Sequence, residues 1–145
     1  MNYNFTKAAT LKFSTKTRYA IRTMLEIASD NSGCGVLQKD IASKQGLSVK
    51  YLDHIIAALK AAGLIQNLKG KKSGYVLSRP AAEISMFDIH NAFENGICVI
   101  ECIDLNSSCK KSGKCKSQKF WKGLNEIVLE HFKSTNLLDI MNAEA

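Results

Sequence analysis

Residues 37–62, LQKDIASKQGLSVKYLDHIIAALKAA, read as two short helices separated by Gly46, and this stretch decides the fold. In the first helix Ile41 and Ala42 face inward. Ahead of the second, Ser48 stands where an N-cap side chain accepts a bond from an otherwise unpaired backbone N–H. Leu52, Ile55, Ile56 and Leu59 then follow at i, i+3, i+4 and i+7, a single apolar stripe. Gly63 stands where a left-handed C-cap is expected. Downstream, residues 64–68 and 75–78 have strand character, and the turn Lys69-Gly-Lys-Lys-Ser-Gly74 between them suits a hairpin. Upstream, residues 17 to about 29 form a helix with Tyr19, Ala20, Met24 and Ile27 near helical spacing. Turn-forming residues 30–35 end it.

Helix, short helix, glycine turn, second helix and basic hairpin is the order of a winged helix-turn-helix. The major groove admits one α-helix, and a hairpin beside it reaches the backbone or minor groove. The helix after Ser48 is then the recognition helix: its stripe packs inward, leaving Val49, Lys50, Tyr51, Asp53 and His54 for DNA. Asp53 repels phosphate, so its uses are to accept from a base donor or to hold a neighbour. Lys69, Lys71 and Lys72 concentrate charge at the hairpin tip, where phosphates would pass; lysines on an edge strand also block aggregation. The charge distribution agrees. Residues 1–80 hold 13 Lys/Arg against 4 Asp/Glu, whereas residues 81–145 hold 7 against 9, so the polyanion-binding module comes first.

After Pro80, Ser85-Met-Phe-Asp88 has the form of a capping box with Asp in place of Glu, opening a helix through Phe93 with Met86, Ile89 and Phe93 on one face. Residues 98–116 are irregular and rich in Ser, Lys and Cys. Residues 118–131 are helical, with Trp121, Leu124, Ile127, Val128 and Phe132 apolar, and Leu137, Leu138 and Ile140 form a short hydrophobic tail.

Cys102-x6-Cys109-x5-Cys115 places three thiols within 14 residues, close enough in sequence to converge on one metal centre. Zinc favours four tetrahedral ligands, often from paired Cys-x2-Cys units, and no such pair exists; iron–sulfur spacings vary more widely. Lys110, Lys111, Lys114 and Lys116 surround the thiols, and nearby cations favour the thiolate. Five cysteines is an odd count and argues against a disulfide framework; Cys34 stands apart as an incidental thiol. No run of about 18 apolar residues is present to span a membrane. The opening residues lack a secretory apolar stretch, which makes the cytoplasm the expected compartment. With no nucleotide loop and no Cys–His catalytic pairing, the chain is not expected to be an enzyme.

Phe13-Ser-Thr-Lys-Thr-Arg-Tyr-Ala-Ile-Arg22, Ile41-Ala with Leu47-Ser-Val-Lys-Tyr-Leu52, Gly63-Leu-Ile, and Gly70-x-x-x-Gly74-Tyr-Val-Leu77 together resemble the Rrf2 family of winged-helix transcriptional regulators, over about residues 12–142. The resemblance implies a homodimer on a double-stranded DNA operator, with a long C-terminal helix crossing to the partner. The implied architecture is mainly α with a small β-hairpin wing. It divides into a DNA-binding domain (12–80), a connecting helix and cysteine-rich loop (81–117), and a dimerisation helix and tail (118–142). The resemblance also puts Lys16 and Arg18 near the DNA backbone and Ser48, Lys50, Tyr51 and His54 at the major groove. Lys69 stands where many members carry an arginine entering the minor groove. The wing departs from the family's usual Gly-Pro-Gly-Gly-Gly-Tyr, reading Gly70-Lys-Lys-Ser-Gly74-Tyr75, and lysine lacks arginine's planar fork, so the operator is expected to differ from the familiar ones.

The cysteine spacing is similar to that of the cluster-binding, IscR/NsrR-like branch. This implies Cys102, Cys109 and Cys115 as ligands of an iron–sulfur cluster, 2Fe–2S in preference to 4Fe–4S. The fourth ligand stays open. Where some relatives carry a histidine this chain has Gln118, and where others carry a carboxylate in the first helix it has Arg18; Cys98, Glu101, His90 and a partner residue are the candidates. Two rival readings remain: a regulator of the same fold with bare redox thiols or zinc, and an iron–sulfur redox carrier that binds no DNA.

Overall fold

The computed structural model describes residues 13–70, 74–104 and 109–144. The chain runs α1 (Thr15–Ala28), α2 (Gln38–Gln45), α3 (Val49–Ala61), β1 (Ile65–Asn67), β2 (Tyr75–Leu77), α4 (Met86–Asn91), α5 (Gln118–Ser134) and α6 (Leu137–Met141), with short 3₁₀ turns at Ala81–Glu83 and Glu101–Ile103. It is mainly helical with one antiparallel hairpin, as the order of elements predicts. α1 begins two residues earlier than its apolar spacing indicates, because the Ser14 hydroxyl accepts from the Thr17 N–H and caps it there. α4 stops at Asn91 rather than Phe93; the N–H groups of both Phe93 and Glu94 turn back onto the His90 carbonyl. α5 continues three residues past the expected end.

The helix-turn-helix forms for the reasons its sequence suggests. Gly46 closes α2 in the left-handed region at φ 63°, which L side chains rarely adopt. The Ser48 side chain accepts from the Tyr51 N–H and starts α3. Leu52, Ile55, Ile56 and Leu59 are all buried, against Ala20, Met24 and Ile27 of α1 and Ile41 and Ala42 of α2. Each such side chain removed from water contributes about 1.5–3 kcal/mol. The hairpin pairs Ile65 with Leu77, Gln66 with Val76 and Asn67 with Tyr75, and its inner edge continues onto the α1–α2 connection through Tyr75 and Val36.

The apolar tail is a helix. Asn136 and Asp139 form a reciprocal capping box that starts α6. The Leu137 N–H donates to the Ile84 carbonyl at 2.8 Å, and the Leu137 side chain is fully buried in the same cluster as α3. One core therefore draws on all three sequence segments, with Ile84, Met86 and Ile89 supplied by the middle one.

The hairpin and the α1–α2 connection meet through glycine. A Cβ on Gly74 would lie 2.5 Å from backbone atoms of Gly35 and Val36, and one on Gly35 would lie 2.8 Å from the Gly74 carbonyl carbon. The Gly74 N–H donates to the Cys34 carbonyl at 3.0 Å across this crossing. Backbone cannot yield as a flexible side chain can, so Gly74→Ala is expected to lower the unfolding free energy by about 1–3 kcal/mol, read as a reduced denaturant midpoint at unchanged slope.

Candidate nucleic-acid interface and cysteine segment

Burial of one face of α3 turns the other outward. Ser48, Val49, Lys50, Asp53 and His54 are all exposed, with Val49 at 51%. Tyr51 differs from its neighbours: it is half-buried, with its ring edge-on to Tyr19 of α1 at 5.9 Å. Lys16, Tyr51 and His54 line one cavity of about 410 Å³ between α1, α3 and the end of α4, so a residue predicted on the first helix shares one surface with two predicted on α3. Arg18 is exposed but lies about 200° around α1 from Lys16. Arg22 instead places its guanidinium 5.4 Å from the Tyr19 ring centroid. Lys69 is exposed at the hairpin tip; Lys71 and Lys72 lie outside the described residues.

Sequence reasoning missed Gln38, the residue that organises this surface. Its side-chain amide N–H groups donate to the Asp53 carboxylate and to the Val49 carbonyl, and its carbonyl accepts from the Tyr75 hydroxyl at 3.3 Å. One side chain thus joins the start of α2, the first turns of α3 and the hairpin. Asp53, the only acidic residue on the outward face of α3, is held by that amide. Nothing in the spacing of Gln38 marks it, since the three partners lie far apart in the chain.

None of the five cysteines, all among the described residues, is in a disulfide. Cys102, Cys109 and Cys115 are half-buried, and Cys98 is exposed with its thiol donating to the Ile100 carbonyl at 3.1 Å. The Ser117 hydroxyl lies 3.0 Å from the Cys115 sulfur and, with the Ser117 backbone N–H, holds that thiol below its ordinary range. Three soft sulfur donors on a lysine-rich segment have the chemistry of an iron–sulfur ligand set. The geometry is not pre-assembled: among the described residues no three His, Cys, Asp or Glu side chains form a group able to hold one metal ion. Of the fourth-ligand candidates, His90 is buried with both ring nitrogens already bonded, to Thr17 and to the Gly96 carbonyl. It could ligate only by giving up those partners.

α5 follows the cysteine segment and none of its residues is buried. Its C-terminal end is fixed by Phe132, stacked on Phe13 at 5.1 Å, and Asn125 accepts from the Val99 N–H at 2.9 Å. The opposite side presents Phe120 at 65% exposure and Ile127 at 69%. Among the described residues no helix is long and apolar enough to cross a membrane.

An outward helix braced by a hairpin over a helical core defines a winged-helix DNA-binding protein. Residues 13–143 match the Rrf2 family, described as iron-dependent transcriptional regulators, and the chain belongs to that family. It is a transcriptional regulator and not an enzyme. Protein rrf2 of Nitratidesulfovibrio vulgaris is 34% identical over 131 residues, covering 90% of this chain and 87% of that protein. Among solved structures, CymR, the global cysteine regulator of B. subtilis, superposes with a TM-score of 0.75 at 29% identity, covering 94% of this chain and 100% of that one. T. potens IscR gives 0.73 at 30% identity, covering 90% and 86%.

The Cys115 environment makes a direct prediction. Ser117→Ala removes the hydroxyl that stabilises the thiolate, so the Cys115 thiol rises toward its ordinary range. Alkylation of Cys115 near neutral pH is expected to slow, and the midpoint of its rate–pH profile to move upward, as read by mass spectrometry of the labelled peptide.

Proposed function

We propose that this regulator binds its operator as a homodimer in the cytoplasm, with α3 in the major groove, and that an iron–sulfur cluster held by Cys102, Cys109 and Cys115 modulates its affinity. The observation that carries the DNA reading is the shared surface of Lys16, Tyr51 and His54 beside the exposed Lys50. Lys50 and His54 face base edges, Lys16 the backbone, Ser48 holds the helix start in place, and Lys69, Lys71 and Lys72 follow the phosphates flanking the groove; Arg18, on the far side of α1 from Lys16, is left out of this contact. Asp53, fixed by Gln38, accepts from a base amino group rather than opposing phosphate.

Support for the cluster comes from the family's iron dependence, the IscR relatives and the three-thiol donor set. When bound, such a cluster would supply a redox- and iron-responsive centre. The chain's own part is to bring residues 102 and 109–115 together, and the lysines at 110, 111, 114 and 116 would offset thiolate charge. This segment lies between α4, which packs on α1, and α5, so its closure would bear on both the DNA-binding core and the dimer helix. Three half-buried thiols outside any disulfide also suit a cluster-free redox regulator, and the same experiment separates the two.

Protein purified without oxygen is expected to carry iron and sulfide, with charge-transfer absorbance that Cys102→Ala, Cys109→Ala or Cys115→Ala abolishes. Colourless protein, or protein with stoichiometric zinc, would rule the cluster out. For DNA, titration of a mixed-sequence duplex across salt concentrations should give a steep slope. Lys69→Ala should reduce that slope by about 1, whereas Lys50→Ala should relax discrimination between duplex sequences, and a salt-independent affinity would contradict the interface.

The dimer reading rests on the unpartnered apolar side of α5. Ile127→Asp places a charge at its centre and is expected to yield monomer in analytical ultracentrifugation while leaving the helical circular dichroism unchanged, because Ile127 contributes nothing to the monomer core.

A further inference from the structure

The buried face of α4 carries a polar chain that the DNA surface does not use. His90 is 5% exposed. Its Nε2 lies 2.9 Å from the Gly96 carbonyl, which can only accept, so Nε2 carries a proton and donates it. Its Nδ1 is 3.1 Å from the Thr17 hydroxyl, and that hydroxyl is 3.1 Å from the Ser14 hydroxyl, the N-cap of α1. Phe13 and Phe132 close over the imidazole at 5.9 and 5.7 Å. Gly96 stands two residues before Cys98, at the root of the cysteine segment, while Lys16 sits inside the capped turn at the other end.

We propose that His90 is a positioning residue that transmits the conformation of the cysteine segment to the DNA-facing end of α1. A displaced Gly96 carbonyl either draws the imidazole away from Thr17 or leaves a buried N–H unpaired among aromatic rings. An unpaired buried donor is costly, so the chain of bonds shifts as a unit, and Lys16 shifts with the cap. The role of the cysteine segment as a sensor rests on the function proposed above; the mechanical link from Gly96 to Ser14 does not.

The test is a double-mutant cycle in the full chain, read by hydrogen exchange. Gly96→Ala strains a turn held at φ 79° while its added methyl meets nothing within 4 Å, so it perturbs the backbone of the turn alone. In the wild-type background it should speed exchange of the Thr17 and Arg18 amides by about fivefold or more, the lower end of typical intersite coupling. In the His90→Gln background it should add nothing. Should His90→Gln fold poorly, Thr17→Val cuts the same chain at its other joint and should give the same loss of coupling. Thr23→Val, which deletes a buried hydroxyl without a hydrogen-bond partner among the described residues, should leave the first turn of α1 unchanged. A purely structural role for His90 would lower protection throughout α1, α3 and α4 instead. Additivity of Gly96→Ala and His90→Gln, or an effect of Gly96→Ala confined to residues 94–98, overturns the proposal. Wild-type protein whose DNA affinity is the same with and without reconstitution by ferrous iron and sulfide, yet which shows the coupling, would overturn the sensing function and leave the positioning role standing. An affinity difference retained in full by His90→Gln would do the reverse.

Discussion

The apolar stripe of α3, buried against α1 and α2, fixes two things at once. Leu52, Ile55, Ile56 and Leu59 set the helix axis, and by occupying one side they determine which residues look outward. A helix rotated by one residue would bury Lys50 or Asp53 and expose Leu52 or Ile56, at several kcal/mol for the unpaired charge alone. Specificity at the surface is therefore a by-product of close packing beneath it. Gln38 then refines the arrangement, tying Asp53 and the hairpin tyrosine to one amide so that recognition helix and wing keep a common frame.

The elements that carry this frame were legible because their signals are local. Ser48 and Ser85 cap helices where a side-chain oxygen can reach an N–H three residues on, and the stripe repeats every turn. What escaped notice joins residues distant in sequence. Gly35 and Gly74 are ordinary turn glycines until their backbones are seen to cross. His90 reads as a polar residue on a short helix, and only the fold brings Thr17 and Gly96 to its two nitrogens. α6 did carry a local signal, Asn136-x-x-Asp139, but its five residues resemble an apolar tail when the box is overlooked. For the cysteines, closeness along the chain did not translate into a gathered ligand set among the described residues. Spacing within a loop limits how far apart donors can be and says little about where each one points.

α5 is held unevenly. Phe132 anchors its C-terminal end in an aromatic cluster with Phe13 and His90, whereas its N-terminal end emerges directly from the cysteine segment, and Phe120 near that end and Ile127 at mid-helix face outward. Any rearrangement around Cys115 would act at the start of a 17-residue rod, about 25 Å long, which also packs on α4. The same rod carries the exposed apolar side chains Phe120 and Ile127, so the cysteine segment, α4 and that apolar side are joined through one helix.

Burial of Leu137 also has a bearing on how the protein is made. The core shared with the amino-terminal module is completed when this leucine docks on Ile84, and Leu137 follows every other buried core residue in the order of synthesis. Until residue 137 is made the nascent chain carries an incomplete hydrophobic core, the kind of exposed surface that invites chaperone capture or aggregation.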